Sequence, residues 1–213
     1  MIPSGFSRRG ILIAGGAAVA GTGFSGWAAA AAVVTPAQSR GPFYPDRMPI
    51  DRDNDLVRIS GARQSAMGQI THIMGRILDT RGRPLKGAHV EIWQCDSGGR
   101  YIHSRDANRG PSDAGFQGYG ATSADSDGAY RFRTIRPVPY GGRAPHIHFA
   151  IRHPDHRPLV TQMYVEGERR NKRDGILNSI RDKAARRSLI VPLNPAPELE
   201  PDALAGVFNV VLA

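Results

Sequence analysis

The chain has 213 residues, room for one domain with a full hydrophobic core and a short extension. Its 16 prolines and 25 glycines break the apolar residues into short runs, which argues against a helical bundle, and the lone Cys95 excludes an intrachain disulfide. The formal net charge of +9 arrives without an aromatic-interleaved basic motif or a recognition module, so no nucleic-acid partner is expected; much of the excess lies between Arg169 and Arg187, a solvated basic face suited to small aromatic acids or an anionic surface.

At the amino terminus Ser7-Arg8-Arg9-Gly10-Ile11-Leu12-Ile13 opens an uncharged Ala/Gly-rich run that ends in Ala28 to Ala32. This reads as a twin-arginine export signal over residues 1–32, with cleavage near Ala30 or Ala32 and a soluble life in the periplasm or outside the cell. The membrane then matters only for export. The run is also about long enough to span a bilayer as a retained anchor, although its glycine and alanine make it weakly apolar.

Residues 33–68 read as a lead-in. Within them Gly41-Pro-Phe-Tyr44-Pro-Asp cannot be a regular element, with prolines on both sides of the aromatic pair. From residue 69 the pattern becomes that of strands. Gln69 to Leu78 alternates, Asp79-Thr-Arg-Gly-Arg-Pro returns the chain to a strand over Ala88 to Gln94, and Asp125-Ser-Asp-Gly precedes another over Ala129 to Ile135. Read as hairpins, these predict an antiparallel β-sandwich over 69–213 with long loops and at most a short helix.

Gly98-Gly99 frees the backbone after the second strand and places Arg100-Tyr101 on a loop at the rim of the sheet. Tyr119 falls in the glycine-rich loop around Gly118 and Gly120, while Tyr130 alternates into the core and Tyr164 belongs to a strand. In Tyr140-Gly-Gly-Arg-Ala-Pro-His146-Ile-His148-Phe149, alternation on a strand turns both histidines to one face and Ile147 and Phe149 to the other. Pro145 and Gly141-Gly142 place a turn that lets Tyr140 and Arg143 fold over the same face. Two neutral imidazoles suit zinc, copper, iron or nickel, and the pair is equally compatible with histidines satisfied by backbone partners. His72, His89, His103, His153 and His156 read as surface residues or supports, His103 being placed to orient a ligand or a water. A short helix is expected from about Gly175 to Ala185, and final strands over Ser188 to Leu193 and Gly206 to Leu212 on either side of a Pro-rich loop.

Several motifs in register resemble the intradiol ring-cleavage dioxygenases, protocatechuate 3,4-dioxygenase-like enzymes in particular. They are Gly75 to His103, which contains Ala-His-Val-Glu-Ile-Trp93-Gln-Cys-Asp and Gly-Arg-Tyr101-Ile-His; Arg131 to Tyr140; Arg143-Ala-Pro-His-Ile-His148; and Leu159-Val-Thr-Gln162-Met-Tyr-Val-Glu-Gly. The resemblance implies a non-haem Fe(3+) site with Tyr101, Tyr140, His146 and His148 as ligands. It also implies Arg143 beside the metal, Gln162 near the bound ring, and Tyr44 either lining the pocket or acting as an aromatic clip. The expected partners are a small catechol-type diol and O2, with ring opening between the hydroxylated carbons to a cis,cis-muconate-type diacid. Two phenolates and two imidazoles suit a hard trivalent ion, and the tyrosines argue against zinc. Only Gly141-Gly142 separate Tyr140 from Arg143, fewer residues than in protocatechuate dioxygenases, which implies a lower or wider pocket wall and leaves the particular catechol open. Gly41 already begins the sandwich lead-in, so assembly through an amino-terminal helical domain is not expected, although a homo-oligomer is compatible with the reading. The rival reading is an exported prealbumin-like sandwich that binds without catalysis.

Overall fold

The computed structural model describes residues 33–107 and 110–213; the expected export signal lies outside the described residues. The strands, in chain order, are β1 (Ile70–Asp79), β2 (His89–Trp93), β3 (Tyr119–Ser123), β4 (Ala129–Ile135), β5 (His146–His153), β6 (His156–Val165), β7 (Ile190–Val191), β8 (Asn194–Pro195), β9 (Leu204–Val207) and β10 (Val210–Leu212). Between β6 and β7 lie a 3-10 turn over Arg169–Arg173 and two short helices, α1 (Gly175–Asn178) and α2 (Lys183–Ser188). The single helix expected over 175–185 is therefore two. Asp174 and Asp182 each start one by accepting two backbone N–H groups, which divides the segment. No helix among the described residues is long and apolar enough to cross a membrane.

The strands form two five-stranded sheets. In one, β1 is flanked by β4 on one side and by β9 and β10 on the other, with β8 beyond β9; the other runs β3-β2-β5-β6-β7. The core fills the space between them: Ile73, Ile77, Phe132 and Phe208 meet Val90, Ile92, Ile147, Phe149 and Met163. Burying a side chain of this size is worth roughly 1.5–3 kcal/mol relative to leaving it in water. The alternation on β4 shows how the sequence selects its face, with Tyr130 and Phe132 inward while Arg131 and Arg133 point out. Arg133 reaches Asp55 and Glu200, and Arg131 reaches His72 at 3.0 Å. His72, expected at the surface or near the site, is instead buried in this charged group, because β4 and β9 cover β1 from both sides.

Three further expectations are corrected. The turns at Asp79 and Asp125 reverse the chain, but β1 and β2, like β3 and β4, lie in different sheets, so these are crossings between the layers and not hairpins. Leu85 N–H returns to Ile77 O at 2.9 Å, closing the Asp79 turn before the chain crosses. Tyr119 opens β3, where it faces Trp93 of β2 in register. The late strands are parallel to their neighbours: β9 and β10 to β1, and β7 to β6. The helical segment after β6 carries the chain back before β7, as a parallel neighbour requires, while β9 and β10 reach β1 from the distant end of the chain.

Candidate metal centre

The same period of two that buries Ile147, Phe149 and Ile151 of β5 in the core turns His146, His148 and Ala150 to the outer face of their sheet. Strand register then supplies the neighbours. Trp93 of β2 pairs with His148, and His148 pairs with Gln162 of β6, so the three stand in one row; His146 pairs with Tyr164 in the next. The indole of Trp93 lies flat on the His148 ring, 4.7 Å between centroids with 6° between planes.

Two loops bring the tyrosines to this face. Asp96 ends the β2 extension and folds the next turn with its own carboxylate, Oδ1 accepting from Gly98 and Arg100 N–H at 2.9 Å each. That turn delivers Tyr101 inward, 2 % exposed, where a rim position was expected. Tyr140 sits at the start of a tight turn in which Arg143 N–H donates to Tyr140 O at 2.7 Å and both central residues have positive φ, Gly141 +50° and Gly142 +85°. Only glycine adopts this pair of angles without strain.

The four rings close a circuit: Tyr101 to Tyr140 at 5.0 Å between centroids, Tyr140 to His146 at 5.5 Å, His146 to His148 at 4.8 Å, and His148 to Tyr101 at 6.1 Å. The Nε2 atoms of the two histidines are 3.2 Å apart. His146 Nδ1 lies 2.6 Å from Ala144 O, which fixes the proton on Nδ1 and leaves the Nε2 lone pair directed into the circuit. Tyr101 Oη is buried with no hydrogen bond of ordinary geometry, although Tyr140 is its neighbour. His148 Nδ1 is likewise buried without a partner, so the Trp93 stack orients this ring where a hydrogen bond orients His146.

Burial governs the ionisation of all four groups. It pushes the Tyr101 phenol well above its ordinary range, with Cys95 and Tyr140 adding to the effect, and it raises Tyr140 against the pull of Arg143. It presses His146 down to about 4, and His148 well below the imidazole range, where His146 and Arg143 add to it. Besides burial, the Arg143 charge acts on all four rings, favouring phenolate over phenol and neutral imidazole over imidazolium. Its guanidinium is held from three sides: Nε donates to Asp174 Oδ2 at 2.8 Å, and Nη2 to Gln162 Oε1 at 2.7 Å and to Tyr164 Oη at 3.1 Å.

These side chains fit a hard, high-valent cation. They offer two neutral imidazole nitrogens and two phenol oxygens, one of them without a hydrogen bond of ordinary geometry, and a cation's charge is what would lower the phenols' raised pKa values. Among the described residues no cage of three or more His, Cys, Asp and Glu gathers, so an ion here would depend on the tyrosines.

The remaining expected residues are also placed. Gln162 is fully buried, its Nε2 donating to Ser39 O at 3.0 Å, so it braces Arg143. Tyr44 stands one layer behind the site, edge-on to Trp93 with its hydroxyl donating to Glu91 at 2.8 Å. The aromatic against the tyrosines is its neighbour Phe43, stacked on Tyr101 at 5.2 Å and edge-on to Tyr140 and His103. Sequence reasoning missed Trp93, Tyr164, Asp174 and Gly41, which has a positive φ of +71° and where a side chain would begin 3.2 Å from His148 Cε1. Cross-strand register marks the first two; Asp174 and Gly41 carry no local signal.

The family model Dioxygenase_C, described as Dioxygenase, matches residues 39–213. The protocatechuate 3,4-dioxygenase beta chain of Burkholderia cepacia is 36% identical over 169 residues, covering 75% of this chain and 71% of that protein. A hydroxyquinol 1,2-dioxygenase of Corynebacterium glutamicum is 33% identical over 147 residues, 60% of this chain and 45% of the relative, so this chain spans about half of it. Among solved structures, the dioxygenase domain of a dioxygenase carbohydrate-binding protein fusion from Streptomyces sp. SirexAA-E superposes with a TM-score of 0.64 at 28% identity, covering 84% of this chain and 97% of that one. Catechol 1,2-dioxygenase from Acinetobacter sp. ADP1 gives 0.65 at 28% identity, covering 84% and 62%.

Proposed function

Because this chain belongs to the intradiol ring-cleavage dioxygenase family, we propose that it opens a catechol-type ring with O2 between the two hydroxylated carbons, giving a cis,cis-muconate-type diacid. Tyr101, Tyr140, His146 and His148 would hold Fe(3+). The observation that carries this reading is the closed circuit of two phenols and two imidazoles, with the imidazole Nε2 atoms 3.2 Å apart and the buried Tyr101 oxygen without a hydrogen bond of ordinary geometry. When bound, the ferric ion supplies a Lewis acid for the phenol and catechol oxygens.

The chain's own residues do the rest. His146 and His148 stay neutral because their burial and the nearby Arg143 oppose protonation. Tyr101 is enclosed by its loop, while Tyr140 is partly exposed beside its glycine turn, so of the two phenolates that would hold the ion Tyr140 is the one more open to take a proton from an arriving diol and become phenol. Arg143 cannot turn away to solvent while Asp174, Gln162 and Tyr164 grip it, and its fixed positive charge steadies negative charge developing on the ring. Phe43 and Trp93 keep water from the rings they cover.

The test is the visible spectrum of iron-loaded protein before and after a catechol is added without oxygen, repeated on Tyr101→Phe, followed by product analysis in air. A tyrosinate-to-iron band that responds to catechol and is altered in the variant is the expected result. Colourless iron-loaded protein, or a band indifferent to catechols, would reject the assignment. Export by the twin-arginine route is part of the proposal, supported by Ser7-Arg8-Arg9 and the uncharged run behind it. Replacing Arg8 and Arg9 by lysine should keep the protein out of the periplasmic fraction, and unchanged export would refute that part.

A further inference from the structure

An open groove of about 560 Å³ runs beside the site, lined by Arg136, Pro139, Glu166, Gly167, Glu168, Arg169 and Arg170. Both of its walls lead to the site. One wall ends at Pro139, the residue before Tyr140. The other belongs to the segment between Tyr164 and Asp174, whose two flanking side chains both bond to Arg143. Three residues beyond the end of the first wall the chain has already passed through Tyr140 and the Gly141-Gly142 turn, which is exposed, with no atom within 4 Å of where a side chain would begin. The turn that joins Tyr140 to Arg143 therefore presents no side chain to a ring substituent passing over it.

The charges in the groove are unequal. Glu168 is neutralised by Arg136 at 2.9 Å, and Glu166 by Arg187. Arg169 and Arg170, on the 3-10 turn, are exposed and have no carboxylate within ion-pair distance among the described residues. Two unopposed guanidiniums in a groove of this volume form a site for a carboxylate, whose two oxygens match the guanidinium fork.

We propose that this groove is a second binding site, for a carboxylate carried by the catechol substrate on an arm long enough to clear the Gly141-Gly142 turn. The proposal rests on the catechol reading above and deepens it: the preferred substrate class is an extended catechol acid, with Arg169 and Arg170 as the specificity-determining residues.

The experiment measures Kd on iron-loaded protein without oxygen by titration calorimetry, and KM and kcat in air. The probes are catechol itself and dihydroxyphenyl-acetate, -propanoate and -pentanoate, each acid paired with its methyl ester. The expected result is an acid-over-ester preference that appears once the arm clears the turn. It should fall about fivefold in the double variant Arg169→Ala/Arg170→Ala, the range for two exposed ion pairs, through KM and Kd with kcat unchanged. Catechol and the esters should be unaffected. Lys172→Ala/Arg173→Ala removes equal charge just outside the groove and should leave the preference intact.

The proposal is overturned if no arm length shows the preference, if acid and ester weaken together, or if the outer pair has the same effect. Acids and esters that bind but are not cleaved would defeat the catalytic reading while the Kd ratio still decides the groove. If none of the probes binds, both fall.

Discussion

At the scale of single residues, the two histidines are oriented by different devices, and each device is open to test. His146 is fixed through a hydrogen bond to Ala144 O, whereas His148 lies against the Trp93 plane with its edge toward Gly41, where no side chain intrudes. A Cβ at position 41 would stand 3.2 Å from His148 Cε1. Gly41→Ala should therefore both strain the backbone and push the imidazole. Gly61→Ala is the control, since Gly61 has a similar φ of +80° with nothing within 4 Å. Both variants should lose about 1 kcal/mol of stability from forcing positive φ on alanine. Only Gly41→Ala should also lower iron affinity, by about tenfold, the size of effect seen when a ligand's support is removed. Chelator competition against urea melts separates the two effects, and equal iron affinity in both variants would show that the space at Gly41 is unimportant. Arg143→Lys tests the third support. Lysine keeps the charge but cannot engage Asp174, Gln162 and Tyr164 with one planar fork, so a kcat/KM loss on the order of 100-fold is expected, with KM little changed.

At the scale of elements, a buried carboxylate joins the site to the helical segment. Asp174 caps α1 by accepting from Ile176 and Leu177 N–H with Oδ1, while Oδ2 accepts from Arg143 Nε and Ala144 N–H. Burial works to raise its pKa, but these bonds and the Arg143 charge outweigh burial and hold it below the usual carboxylate range. A depressed native pKa stabilises the fold fully above the unfolded value, near ~4, and that stability is lost as pH falls through the native value. Asp174→Asn should accordingly cost about 3 kcal/mol at pH 7, as for breaking a buried pair. The gap to the natural protein should stay constant down to about pH 4 and close below it, which urea melts at several pH values would record. A gap that widens on acidification would contradict the account. Such joints mark where legibility in the sequence ends. The His146-x-His148 alternation and the glycine turn are local, so their consequences could be read directly. Asp174 meets Arg143 only because β5 and β6 bring their ends together, and nothing in residues 169–187 announces it. The turn at Asp79 is similar: its residues specify a reversal, and packing decides which sheet the next strand joins.

Over the whole molecule, stability and chemistry occupy opposite faces of one sheet. β5 contributes Ile147, Phe149 and Ile151 to the space between the sheets and His146 and His148 to the far side, so one strand serves both without sharing a side chain. All-β composition and alternation made this division readable from the sequence, but the parallel returns of β7, β9 and β10 were not, because they depend on the path taken between distant strands. The division predicts that the two properties can be damaged separately. Phe149 packs against Tyr130 and Phe208 at centroid distances of 6.1 and 5.0 Å, so Phe149→Ala leaves a cavity at the centre of the sandwich and should cost about 3–5 kcal/mol. Under conditions where the variant remains folded, its iron-loaded spectrum should be unchanged, since no ligand ring touches that cavity. His148→Ala should do the reverse. It removes a buried ring that has no hydrogen bond at Nδ1 and lies outside the space between the sheets, so the loss in a metal-free melt should be smaller than for Phe149→Ala, while iron affinity falls beyond chelator competition. If Phe149→Ala altered the spectrum as strongly as His148→Ala, the ligand face would depend on the packing behind it, and the sheet could not be the rigid partition that its register describes.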